Sequence, residues 1–256
     1  MHDVLKWLVI PGGPGMSNNY LQHTLPEAFP EYNLFFYHPY GSPESEKKEV
    51  TIETMVLQIE EAISNFFPSE EFGLITHSFG NYLALRLLEK NHSRLKALIM
   101  INPIPFTYTG WQIALQSIIK TIPEEILIQV NSLALQPDQG TNIFRLIYPY
   151  YLGNIEHTLP MNIPFDMDTC NLITSKIRNF NDDIHLISNP NQPIIRIVGA
   201  KDPFYVEKEI MVDNTLVLNS VGHYPFFEDY AQFINKTQQV KELLCHLLRF
   251  STTISG

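Results

Sequence analysis

Cysteine is almost absent from this chain. Only Cys170 and Cys245 occur in 256 residues, too few to staple a fold and without metal-ligand spacing. They read as two unpaired structural thiols of a protein kept in a reducing cytoplasm. Positive charge is scarce as well: 17 Lys and Arg stand against 27 Asp and Glu, a formal net charge of −10. No basic stripe exists, and the densest pair, Lys47-Lys48, sits among glutamates. That excludes a nucleic-acid partner, which needs clustered Lys and Arg. No stretch approaches the ~20 apolar residues of a membrane span. The first ten residues lack the basic-then-apolar order of a secretory signal, so the expected location is cytoplasmic. Internal repeats and low-complexity tracts are missing too.

What is present suits one large domain, or at most two: 45% hydrophobic and 17% charged residues can build a sizeable core. Short apolar runs at 4–10, 33–37, 72–76, 97–101, 193–198 and 215–218 alternate with longer helical patterns. Most of these runs are nearly continuous, as expected of parallel strands buried on both faces. Helices are expected at 50–67, 81–90 and 229–250. In the first, Ile52, Met55, Val56, Ile59, Ile63 and Phe66 mark one buried stripe. The alternation predicts an α/β fold with a doubly wound, mostly parallel sheet of about six strands. Between Asn102 and Gln192 the rhythm breaks. Helix-like pieces at 109–121, 123–135, 141–151 and 168–180 fill an interval of about ninety residues, too long for a simple crossover. An inserted helical lid, residues 105–189, is expected over a core built from 1–104 and 190–256.

Chemistry concentrates at Thr76-His77-Ser78-Phe79-Gly80. A serine between an apolar run and a helical run is the pattern of a nucleophile elbow, in which a sharp turn lifts the hydroxyl above the sheet edge. Gly80 supplies the small trailing residue, whereas Thr76 replaces the leading glycine. Such a string occurs often by chance, so its weight depends on the residues downstream of it. A serine needs a base to take its proton and a third group to orient that base, in the chain order Ser, Asp or Glu, His. Asp202 comes four residues after Val198, in a turn set by Gly199 and Pro203; His223 comes after the run at 215–218, beside Gly222. All three stand at the C-terminal ends of expected strands, where open α/β sheets bind ligands.

An oxyanion hole needs two backbone N–H donors. The Phe79 amide and the Gly13 amide are the candidates, the latter in the loop Pro11-Gly12-Gly13-Pro14-Gly15. Alone, that loop also reads as a plain Pro/Gly turn; with no G-K-[ST] after it, it is no phosphate cradle. Phe106, Tyr108, Trp111, Phe144, Tyr148, Tyr150 and Tyr151 are candidate walls of an apolar acyl pocket. His77 is given no catalytic role. His157, His185 and His246 lack ligand partners at useful spacing, so no metal site is expected.

Taken together, these segments resemble an α/β-hydrolase of the proline iminopeptidase type. Pro11-Gly12-Gly13-Pro14-Gly15 matches the family's HGGPG. The elbow is followed by Leu83-Ala84-Leu85, and Gly199-Ala200-Lys201-Asp202 and Gly222-His223 match the acid and base segments. Phe36-Tyr37-His38-Pro39-Tyr40-Gly41-Ser42 stands where the family has a Y-D-Q-R-G-S-like run. The resemblance implies a serine hydrolase that acts through an acyl-enzyme on a small-to-medium ester or amide. It implies a small-molecule or short-peptide substrate and neither metal nor organic cofactor.

The chain departs from the family at Pro11, at His38 and Tyr40, and at Thr76. Fewer residues precede Pro11 than the family carries, so the N-terminal antiparallel hairpin is expected to be missing. The shortened front edge leaves monomer and homodimer both open. Iminopeptidases also use lid carboxylates to hold the substrate's ammonium group, since a buried cation must be paired. Here the lid offers Glu124, Glu125, Glu156, Asp166 and Asp168. Glu124 and Glu125 come directly after Pro123 and read as the favourable first turn of a helix. Esterase and aminopeptidase thus stay open, and the departures keep in view a non-hydrolytic ligand-binding or lyase-type protein of the same fold.

Overall fold

A computed structural model describes residues 5–45, 49–90, 93–105, 107–154, 163–177, 192–205 and 214–253. Six strands form one sheet: β1 Lys6–Ile10, β2 Asn33–Phe36, β3 Phe72–His77, β4 Leu95–Ile101, β5 Ile194–Gly199 and β6 Asn214–Leu218. Their order is β2-β1-β3-β4-β5-β6, and every pairing is parallel. All six residues of β3 are buried, whereas the edge strand β2 is only partly covered. That difference is what a sheet with helices over both faces requires.

Successive side chains of a strand point to opposite faces, and two separate cores result. Leu8, Ile10, Leu74, Leu98 and Met100 pack under the helices α3, Ile52–Phe66, and α4, Phe79–Leu88. Trp7, Val9, Ile75, Ile99, Ile195 and Ile197 pack under the short helices α1, Asn19–Gln22, and α2, Leu25–Ala28, and under the C-terminal helix Tyr230–Thr253. α3 begins where Thr51 accepts the Thr54 amide while the Thr54 hydroxyl takes the Thr51 amide, a reciprocal cap worth about 1 kcal/mol.

Between β4 and β5 lie α5 Tyr108–Thr121, α6 Glu124–Ala134, α7 Gly140–Ile147 and α8 Met167–Ile177. The helix expected at 141–151 is not continuous. α7 stops at Ile147 and the chain tightens into a 3₁₀ turn, Tyr148–Tyr151, because Pro149 has no N–H for another α-helical bond. After β6, a four-residue helix, α9 Pro225–Glu228, precedes α10, the Tyr230–Thr253 helix.

Register brings the strand ends together. Ile10 pairs with Thr76, His77 with Ile101, Ile101 with Ile197, and Gly199 with Leu218. The residues just beyond these ends therefore share one rim. The order reverses between β1 and β3, where the neighbouring loops leave in opposite directions and open a crevice.

Candidate active site

Ser78 links β3 to α4 with φ 53° and ψ −123°, a conformation that costs a non-glycine residue of order 1–3 kcal/mol. A buried network holds it. The Ser78 N–H donates to the Ile101 carbonyl at 3.1 Å. Asn81 Nδ2 donates to the Ser78 and Ile101 carbonyls, both at 3.0 Å. The Thr76 hydroxyl donates to Asn81 Oδ1 at 2.6 Å. The residue in the place of the leading glycine thus orients the amide that clamps the turn. Gly80 is required sterically, because a Cβ there would lie 2.4 Å from the Pro11 carbonyl oxygen.

Ser78 Oγ lies 2.7 Å from His223 Nε2, and His223 Nδ1 lies 2.9 Å from Asp202 Oδ2. A carboxylate only accepts, so Nδ1 carries the ring proton and Nε2 is left to accept from the serine hydroxyl. Asp202 accepts two further hydrogen bonds: Oδ1 takes the Phe204 amide at 2.9 Å, and Oδ2 also takes Asn102 Nδ2 at 2.7 Å. All three residues are buried. Asn102, at the end of β4 with φ 42°, also donates to the Gly222 carbonyl at 2.9 Å, fixing Asp202 and the loop of His223 together. Sequence spacing carries no signal for this contact.

The loop after β1 presses against the serine: a Cβ on Gly12 would come within 3.0 Å of Ser78 Cβ. Phe79 is the first residue of α4, so its N–H is one of the donors that a helix leaves unshared; Gly13 borders the same space as Ser78 and His223. His77 sits behind them. Its Nε2 faces the His223 carbonyl at 3.0 Å, and its Nδ1 faces Tyr20 Oη at 2.7 Å. A carbonyl only accepts, so Nε2–H donates, and Tyr20 O–H donates to Nδ1. Tyr20 Oη in turn accepts the Gly12 N–H at 2.7 Å. A single chain of hydrogen bonds therefore ties the glycine loop to the backbone of His223. Burial, and secondarily the neighbouring His223, holds the His77 pKa well below 6.5, so this ring stays neutral.

Above Ser78 lies a cavity of about 220 Å³. α5 lines it with Trp111 and Leu115, α7 with Phe144 and Ile147, and α8 with Met167, Cys170 and Thr174, one stripe from each helix at three- and four-residue spacing. Trp111 stacks on Phe204, two residues beyond Asp202, with ring centroids 5.4 Å apart. Two joints fasten these helices to the rim. The Asp166 N–H donates to the Gly15 carbonyl at 2.8 Å, and the His223 N–H donates to the Tyr151 carbonyl at 2.9 Å.

Of the candidate wall residues, Trp111, Phe144 and Tyr151 border the cavity. Tyr108 instead holds Gln112 on the outer surface of α5, and Tyr148 is buried against Phe144; neither borders the cavity. Phe106 and Glu156 lie outside the described residues. Gln58 of α3 holds the loop of His38 and Tyr40, accepting the Tyr40 amide and donating to the His38 carbonyl. Among the described residues, no group of His, Cys, Asp or Glu has the arrangement of a metal site, and no helix is long and apolar enough to cross a membrane.

Residues 8–192 match the model of the alpha/beta hydrolase fold family. The chain belongs to the alpha/beta hydrolase fold family. Within that family, it is 32% identical over 263 aligned residues to a proline iminopeptidase of Thermoplasma volcanium, covering 91% of this chain and 87% of that protein. Two solved hydrolase structures share the fold. One is a proline iminopeptidase-related protein of Thermus thermophilus, with TM-score 0.64, 19% identity, and coverage of 96% and 91% of the two chains. The other is an esterase of Thermogutta terrifontis, with TM-score 0.64, 18% identity, and coverage of 95% and 90%.

Proposed function

We propose that the protein is a serine hydrolase acting on a small-to-medium ester or amide. The observation that carries this reading is the buried chain Ser78 Oγ–His223 Nε2 and His223 Nδ1–Asp202 Oδ2, at 2.7 and 2.9 Å. Ser78 Oγ attacks the substrate carbonyl carbon while His223 Nε2 takes the hydroxyl proton. The Gly13 and Phe79 amides hold the oxyanion. The bond to the leaving group then breaks, and His223 returns the proton to the departing oxygen or nitrogen. Water attacks the acyl-enzyme, gives its proton to His223, and Ser78 departs with that proton as the acid is released. Asp202 keeps the imidazole in the required tautomer throughout.

In this reading, residues 105–189 form the lid and 1–104 with 190–256 the core. The partner is a small molecule or short peptide, the three side chains and two amides suffice without a cofactor, and the working unit is a monomer or homodimer in the cytoplasm. A fluorophosphonate probe should label the wild-type protein and leave Ser78→Ala unlabelled; equal labelling of the variant would remove Ser78 from the mechanism.

A further inference from the structure

The walls above Ser78 define the acyl group more narrowly than the chemistry does. Three lid helices turn apolar stripes toward the serine. Among the described residues bordering the cavity none is an Asp, Glu, Lys or Arg. The most acidic bordering group outside the Ser-His pair, the Cys170 thiol, has its pKa pushed up to about 12 by burial and stays neutral.

No described carboxylate of the lid borders the cavity, though the Asp166 charge reaches the wall residue Cys170. Asp166 Oδ1 accepts the Thr169 amide at 2.7 Å, inside the first turn of α8. Asp168 comes one residue after Met167, which places it about 100° round the helix from the cavity stripe. Glu124 and Glu125 are exposed in the first turn of α6. Beyond the lid, the Glu228 carboxylate accepts the Gly153, Gly222 and Tyr224 amides.

An ammonium group carried into this cavity would lose its water and meet no carboxylate among the described wall residues, a cost that falls directly on the barrier. A cavity of about 220 Å³ suits a short acyl group. We infer that the site takes an uncharged, short apolar acyl group and rejects substrates with a protonated α-amino group. Its substrate class is neutral esters, not peptides with a free N-terminus. The inference rests on Ser78 being the nucleophile.

Two p-nitrophenyl esters test it on the wild-type protein: cyclopentanecarboxylate and proline. They share ring size and leaving group and differ in a methylene against a secondary amine. At pH 6, below the ~7.7–8.0 of an α-amino group, kcat/KM for the cyclopentane ester should exceed that for the proline ester at least 100-fold. The gap should narrow as the pH rises and the amine loses its proton. A proline ester hydrolysed as fast or faster at pH 6, with both activities lost in Ser78→Ala, would overturn the inference and leave the serine mechanism standing. Undiminished hydrolysis of both esters by Ser78→Ala would remove the mechanism and the inference with it.

Discussion

The two sides of the site are held by opposite means. On the sheet side, Ser78, His77, Asn81, Asn102, Asp202 and His223 are polar, buried and joined by directional hydrogen bonds. On the side of α5, α7 and α8, the helices present largely apolar stripes fastened to the rim by two backbone hydrogen bonds, and α6 has no buried residue at all. A hydrogen-bonded network tolerates almost no displacement, since one lost partner strands a buried donor or acceptor. An apolar wall yields gradually as atoms are removed. Substitutions on the sheet side should therefore strike kcat, and those on the helical side KM.

The largest contrast should come from Asp202→Asn. It keeps the shape but forfeits the acceptor that fixes the His223 tautomer, and kcat should fall about 10⁴-fold with KM little changed. Thr76→Val comes next. It preserves volume yet leaves Asn81 Oδ1 without the hydroxyl that it accepts from, so urea unfolding should show about 1–3 kcal/mol less stability. Leu115→Ala, on the half-buried lid wall, should raise KM for an apolar ester about tenfold and leave kcat near its starting value.

The smallest effect concerns pH. The folded-state pKa of His77 lies below the unfolded value near 6.5, so the unfolded chain binds the extra proton. The stability that neutral His77 contributes is present above about pH 6.5 and is lost as pH falls below it, by up to ~1.4 kcal/mol per pH unit. Denaturation between pH 7.5 and 5 should accordingly show a shallower acid slope in His77→Gln. An identical slope would mean that His77 is not the group titrating.

The same contrast explains what can be read from the chain alone. The central strands are legible because strands buried on both faces leave unbroken apolar runs, and Ser78, Asp202 and His223 because their order and strand-end positions form a pattern. Tyr20, Asn81 and Asn102 are not. The Asn102–Asp202 contact spans a hundred positions and exists only through the register of neighbouring strands. Thr76 reads locally as a bare departure from glycine, since nothing near it in sequence shows that its hydroxyl meets Asn81. On the lid side, periodicity reveals that a helix buries a stripe but not what the stripe faces. Phe144 and Tyr148 both stand out as aromatics, yet Pro149 ends α7 and only Phe144, with Ile147, borders the cavity.

The most direct test of the proposed chemistry is to trap the acyl-enzyme. Acid quench of the protein during turnover of p-nitrophenyl butyrate, and then peptide mass spectrometry, should find the butyryl mass on the peptide containing Ser78. Steady hydrolysis with no acyl group on that peptide, unchanged in Ser78→Ala, would contradict it.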